Sequence, residues 1–350
     1  MNNLAIPRFL DLPQADLEHV LNGVDCWQML RDQRLLLTGG TGFIGKWLLG
    51  TFLYVNRTLG LDAKLVLLSR DVVAFQAMHP ALRDADEIEW LQGDVRDFAL
   101  TDAQRCNFAV HAATDVIAQQ SPSHIFDTCV RGTSNVLAQM RHPGAKRLLL
   151  LSSGAVYGRT PSTLALIPED WNGAPDCLST DSAYGEGKRA SELLCAMAAA
   201  EQGLAIPVAR CFAFIGPHLA LDKHFAIGNF IIAALRGEPL QIKGDGTPMR
   251  SYLYAADMAM WLWVLLFKGQ SARAYNVGGE ESLSIGALAH RVVAALGSDT
   301  NVQIAQTPKP GALVQSYVPD LQRAAAELGL YTHIGLDQAI QRTALWAAQA

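Results

Sequence analysis

Tyr184 and Lys188, in AYGEGKRASE, stand four residues apart, so a helix through them presents both on one face. An ammonium beside a phenol favours the phenolate and makes tyrosine a usable base near neutral pH, and the same ammonium can hold a ribose hydroxyl. Ser153, at the end of the apolar run RLLLLSS, offers a hydroxyl to a reacting alcohol. Together the three supply the proton transfers of a reaction in which a nicotinamide takes or returns hydride. A tyrosine and a lysine at this spacing are common on helix surfaces, so the pair gains its weight from what surrounds it.

Upstream, GGTGFIG places Gly39, Gly42 and Gly45 at GxxGxxG spacing, directly after the apolar run RLLLT and directly before a helical stretch. The first glycine permits a tight turn, the second lets backbone approach a pyrophosphate, and the third lets helix pack on strand with its N-terminus aimed at the anion. At the end of the next apolar run, where a carboxylate normally accepts from the adenosine ribose, the chain reads Ser69-Arg70-Asp71. A hydroxyl followed by a guanidinium suits a 2′-phosphate, which tilts the expected cofactor, NAD or NADP, toward NADP. Arg70 could instead stack on adenine or face solvent, with Asp71 swinging in. Asp94 and Val95, in GDVRD, follow the third run and suit the adenine edge, with a helix N-cap as the plainer role for Asp94.

The elements that carry these residues alternate. Strand-like runs at 34–38, 64–70, 88–91, 108–112, 147–152 and 206–212 are separated by helix-compatible stretches such as 125–140 and 182–201. That alternation predicts an α/β fold, a doubly wound parallel Rossmann sheet with a smaller C-terminal α/β substrate lobe. The expected organisation is an appended segment over 1–33, a dinucleotide-binding domain over 34–216, and a lobe over 217–350 with some segments returning to the first domain. Met258–Phe267 is a ten-residue apolar run where a bilayer span needs about 20, so it reads as a buried helix.

Bulk composition removes other classes. The net charge of −5 carries no basic block to neutralise phosphates, which argues against nucleic acid. The first twenty residues lack an apolar export core, so a cytoplasmic protein with no membrane partner is expected. Cys26, Cys106, Cys129, Cys177, Cys195 and Cys211 form no CxxC pair, and reduced, buried thiols with no metal are expected.

GGTGFIG, HAATD, LLSSGAVYG, YGEGK and GDGTPMRSYLYAAD resemble the extended short-chain dehydrogenase/reductase family of sugar-nucleotide epimerases and dehydratases, over roughly residues 34–330. The resemblance implies that tyrosinate removes a sugar hydroxyl proton while hydride passes to the cofactor. It assigns Ser153, Tyr184 and Lys188 to catalysis, Gly39, Gly42, Phe43, Ile44 and Gly45 to the pyrophosphate loop, and Ala112, Ala113 and Thr114 to the cofactor lining. It also gives Asn229 to the substrate and Arg250 to the nucleotide diphosphate, a role that suits a guanidinium. A homodimer through the 125–140 and 182–200 helices follows from the same likeness.

Three positions depart from the pattern. Where the 4,6-dehydratases carry an acidic pair, this chain has Gly154-Ala155, and the decarboxylases keep a glutamate where Ala155 stands. Elimination of water then lacks its usual acid, whereas plain 4-epimerisation needs none. Asp115, Asp222, His224 and Glu186 are the candidates for a displaced acid, with Asp115 and His224 placed at the substrate and His224 also readable as a solvent-facing loop residue. Cys129 stands where the family often has asparagine, so a small adjustment without redox consequence is expected. The sequence therefore favours a sugar-nucleotide 4-epimerase, ahead of a dehydratase with a displaced acid and an NADPH-dependent 4-keto-sugar reductase. A non-catalytic dinucleotide sensor is the alternative from another class, and retention of all three catalytic types argues against it.

Overall fold

A computed structural model describes residues 9–114, 120–223, 225–309, 311 and 314–349. Its central sheet has seven strands. Six are β1 (Arg34–Thr38), β2 (Lys64–Ser69), β3 (Ile88–Gln92), β4 (Phe108–His111), β5 (Arg147–Ser153) and β6 (Val208–Cys211), and the seventh is Ala274–Val277. From one edge the order is Ala274–Val277, β6, β5, β4, β1, β2, β3. The pairs β1–β2, β1–β4, β2–β3 and β4–β5 are parallel, in a register that sets Thr38 beside both Leu68 and His111. Strands buried on both faces read as unbroken apolar runs, as Leu35–Leu37 and Leu65–Leu68 do. The strand order reverses between β1 and β4, the place where doubly wound sheets open a crevice at their carboxyl ends.

Helices α2 (Phe43–Leu59), α3 (Val72–Met78), α4 (Pro122–Gln139) and α5 (Ala183–Gln202) make the crossovers, and α1 (Gln14–Gly23) precedes β1. Their ends follow ordinary capping chemistry. Ser121 accepts from His124 N with Pro122 in the first turn of α4, and left-handed Gly60 and Gly203 close α2 and α5.

Two compact units divide the chain. The first takes Met1–Ser153, Asp176–Ala209 and Ala259–Ala274, and the second Gly154–Pro175, Arg210–Met258 and Tyr275–Ala350. In the first unit the segment ahead of β1 is part of the core. Trp27 meets Trp263 and Phe267 edge-on at 5.3 and 5.8 Å, and Trp263 Nε1 donates to Thr51 Oγ1 of α2. Gly50 faces Leu12, Gly23 faces the Met260 thioether, and Lys268 pairs with Asp25. The apolar run 258–267 lies in the helix Ala255–Lys268 and is buried along its length, as its composition predicts. Among the described residues no helix is long and apolar enough to cross a membrane.

In the second unit α6 (Ala226–Leu235), α7 (Ile285–Leu296) and α8 (Leu336–Ala347) pack together beside short strand pairs. A polar core ties its loops. The Tyr157 hydroxyl donates to Asn276 Oδ1 and accepts from Arg210, whose guanidinium lies 4.8 Å from the Tyr157 ring centre and also donates to Glu169 O. Asn276 N donates to the Glu169 carboxyl, which burial pushes above the usual carboxylate range.

All six cysteines are free thiols. The expectation that all are buried is corrected at Cys177, which is exposed, and at Cys26, which is half-buried. Burial pushes Cys106 and Cys195 up to about 12 and raises Cys129.

Candidate active site

The glycine turn shows three different spatial demands. Gly39 has φ +72°, and a Cβ there would stand 2.6 to 2.7 Å from the backbone of Ala112 and Ala113. A Cβ at Gly45 would stand 2.2 Å from Gly39 O, so α2 packs directly on the turn. At Gly42, the N-cap of α2, a Cβ would meet only Gly39 O, at 3.4 Å. The turn is closed on its strand side and open at the helix N-terminus, the shape into which a pyrophosphate fits. Phe43 and Ile44, half-buried, form the first turn of α2, and Ala112, Ala113 and Thr114 follow β4 alongside.

At the end of β2, Asp71 is committed to α3: its carboxylate accepts from Ala74 N at 2.8 Å, and Ser69 Oγ accepts from Asp71 N. No carboxylate swings toward the ribose position from Asp71, and Arg70 is exposed. Asp94 takes Arg96 through both oxygens at 2.9 Å, and Arg96 reaches on to Asp127. Those bonds to Arg96 hold the Asp94 carboxyl below its usual range, with a further contribution from Arg70. Asp94 caps no helix; it closes a local turn by accepting from Arg96 N. Val95 is buried against Gly132, and its carbonyl accepts from Asn135 of α4.

Ser153 ends β5 and is 6% exposed, and Tyr184 and Lys188 lie in the first turns of α5. Lys188, 4% exposed, donates from Nζ to Leu151 O at 2.7 Å, and that nitrogen lies 6.0 Å from the Tyr184 ring centre. One ammonium therefore bonds the end of β5 and lies over the Tyr184 ring. Glu186 pairs along α5 with Arg189 at 3.6 Å. Cys129 of α4 lies against Gly187 of α5, where a Cβ would stand 2.9 Å from the cysteine Cβ. Two small residues thus meet at this crossing of α4 and α5.

Sequence reasoning passed over a buried chain beside this set. Thr38 Oγ1 bonds His111 Nδ1 at 2.8 Å, His111 Nε2 bonds Thr133 Oγ1 at 3.1 Å, and Thr133 Oγ1 donates to Ser191 Oγ at 2.9 Å. Ala113 N donates to Thr38 Oγ1, and Ser191 Oγ donates to the carbonyls of Cys129 and Gly187. Burial, then the Lys188 charge, pushes His111 down to about 3, so it is neutral. The available signal was a histidine ending an otherwise apolar strand in HAATD.

In the second unit, Arg250 donates to Met249 O and lies 5.6 Å from the Tyr317 ring centre. The Phe212 and Tyr317 rings meet tilted, with centres 4.7 Å apart, beside Gly154, and Ala155 is half-buried. Asn229, exposed on α6, donates its amide to Lys223 O, and Asp222 is exposed. Asp115 and His224 lie outside the described residues.

The sequence model of the NAD dependent epimerase/dehydratase family matches residues 35–278. UDP-glucuronic acid decarboxylase 6 of Arabidopsis thaliana is 29% identical over 303 residues, which cover 85% of this chain and 84% of that protein. UDP-glucuronic acid decarboxylase 1 of Xenopus tropicalis is 26% identical over 311 residues, covering 89% and 71%. Among solved structures, UDP-glucose 4-epimerase from Thermotoga maritima with UDP-glucose superposes with a TM-score of 0.75 at 21% identity, covering 90% of this chain and 99% of that one. A dTDP-glucose 4,6-dehydratase from Streptomyces venezuelae with NAD bound gives 0.75 at 26% identity, covering 90% and 97%.

Proposed function

The chain belongs to the NAD dependent epimerase/dehydratase family, and from that membership we propose that it oxidises a UDP-sugar at C4 and returns the hydride to the opposite face, acting as a 4-epimerase. A bound nicotinamide supplies the hydride acceptor and donor. Tyr184, as phenolate, takes the proton of the 4-hydroxyl as hydride leaves C4, and gives it back when the ketone is reduced. Lys188 holds the phenolate charge and a cofactor ribose, and Ser153 hydrogen-bonds the reacting oxygen. Gly39, Gly42, Phe43, Ile44 and Gly45 hold the pyrophosphate, with Ala112, Ala113 and Thr114 lining the cofactor and Asp94 and Val95 at the adenine. Ser69 and Arg70 favour NADP over NAD. Asn229 and Arg250 are assigned to the sugar nucleotide, and Asp115 and His224 remain candidates there.

The observation that carries the choice of reaction is the pair Gly154-Ala155 directly after Ser153. Neither side chain can protonate a leaving hydroxyl, and Gly154 has no room to be replaced by one that could. A second reading is favoured by the relatives that are UDP-glucuronic acid decarboxylases. UDP-glucuronate oxidised at C4 is a β-keto acid, which releases carbon dioxide without an added general acid. A homodimer through α4 and α5 is supported by exposed Phe126, Leu193 and Met197 on those helices.

Mass spectrometry of products from UDP-glucose, UDP-galactose, UDP-glucuronate and dTDP-glucose with NAD or NADP separates these readings. Unchanged mass with altered chromatographic mobility supports epimerisation. Loss of carbon dioxide selects the second reading, and loss of water overturns both. Tyr184→Phe should abolish turnover while cofactor binding persists.

A further inference from the structure

We propose that His111 is a positioning residue that, through Thr133 and Ser191, fixes helix α5 and with it the Lys188 ammonium against the Tyr184 phenol. The proposal rests on the reading of Tyr184 as the base, and it adds three residues that none of the motif assignments uses.

The direction of the hydrogen bonds is forced. Ser191 has one hydroxyl proton, and the carbonyls of Cys129 and Gly187, both 3.0 Å away, are acceptors only. Ser191 therefore accepts from Thr133, Thr133 accepts from His111 Nε2–H, and His111 Nδ1 accepts from the Thr38 hydroxyl. Thr38 Oγ1 in turn accepts from Ala113 N. Only the neutral Nε2–H tautomer completes this chain, and the nearby positive charge of Lys188 opposes a second proton. The chain runs from the end of β1, beside the glycine turn, through β4 and α4 to α5.

Its terminus matters because of what is missing next to it. Gly187 contacts Cys129 with no side chain of its own, so that residue adds no interlocking side chain to the packing of α5 on α4. Ser191, one helical turn beyond Gly187, supplies the polar key: its oxygen bonds α4 at Cys129 O and Thr133 Oγ1 and its own helix at Gly187 O. Lys188 sits between Gly187 and Ser191 in the chain and is held at its tip by Leu151 O. A slide of α5 moves Tyr184 out of its native place relative to the ammonium held at Leu151 O. Charge stabilisation of a phenolate falls with its distance from the ammonium.

The test reads Tyr184 directly and needs no substrate. Ultraviolet absorbance titration of tyrosinate in wild type minus Tyr184→Phe isolates this phenol. Thr133→Val, which keeps the shape of the side chain, and Ser191→Ala should each raise its midpoint by roughly one pH unit. His111→Asn should do the same, because its amide stays near Thr38 and loses Thr133, while His111→Gln, which reaches the Nε2 position, should restore part of the shift. Combining Thr133→Val with Ser191→Ala should add almost nothing to either alone, because both cut one chain. Unchanged midpoints in folded Thr133→Val and Ser191→Ala overturn the proposal and leave the role of Tyr184 intact. Additive shifts overturn it as well. An ordinary tyrosine midpoint in wild type overturns both the positioning role and the reading of Tyr184 as base.

Discussion

The Tyr317 hydroxyl occupies the space that a side chain at position 154 would need: a Cβ built on Gly154 stands 2.7 Å from that oxygen and 2.9 Å from two ring carbons of Phe212. The glycine after Ser153 is thus matched to an aromatic pair of the same second unit. Restoring an acid here should fail on packing. Gly154→Asp is expected to lower stability by about 1–3 kcal/mol, as overpacking does, and thermal denaturation reads the loss. Tyr317→Ala in the same chain should recover part of it, because the two positions compete for one volume. Equal losses in single and double variants would show that the crowding lies elsewhere.

A second prediction concerns residues ahead of β1. Trp27 packs on Trp263 and Phe267 and donates from Nε1 to Leu21 O, so its ring is both buried and anchored. Trp27→Ala should cost about 3–5 kcal/mol, the range for a buried aromatic. Denaturant midpoints check this. A loss below about 1 kcal/mol would show that the segment is a covering that the core does not need.

Much of the fold was legible because its strands are buried on both faces and separated by long crossovers, which gives apolar runs that periodicity finds easily. The glycine turn was legible for a similar reason: Gly39 and Gly45 answer local demands that the spacing itself states. The N-terminal segment was not, because its value lies in distant partners such as Trp263 and Met260, and nothing local in α1 announces them. The chain through Thr38, His111, Thr133 and Ser191 escaped notice because its members are spread over 154 positions of sequence and each is unremarkable alone. The departures at Cys129 and Gly154 were visible as letters, but their compensation by Gly187 and Tyr317 exists only in space. Asp71 is a further case: its role as the cap of α3, accepting from Ala74 N, depends on where that helix starts.

A third prediction follows from His111. Its folded-state pKa, about 3, lies below the 6.5 of an ordinary histidine, so between those values the unfolded chain binds a proton that the folded chain does not. Stability from this group is complete above pH 6.5 and falls as pH drops toward 3, by at most about 1.4 kcal/mol per pH unit. Carboxylates such as Asp94 lose stability in acid too, so the measurement is a difference between wild type and His111→Gln. The variant should be less stable at pH 7.5 and should lose less on going to pH 5. Parallel curves would mean that His111 takes up its proton in the folded state.

The last prediction concerns the cofactor. With Asp71 held by Ala74 N, no carboxylate from the end of β2 repels a 2′-phosphate, and Arg70 stands exposed at that place. A charge-assisted hydrogen bond from a guanidinium contributes about 1.5–3 kcal/mol, roughly ten- to hundredfold in affinity. Isothermal titration of the purified protein with NADP and NAD should therefore favour NADP, and Arg70→Ala should weaken NADP by at least about tenfold while leaving NAD nearly unchanged. Asp71→Ala should not alter the preference, because that carboxylate faces its own helix, although it should loosen α3. Equal weakening of both cofactors by Arg70→Ala would assign the guanidinium to the adenine face, which the two dinucleotides share, and NAD would then be the cofactor that this site selects.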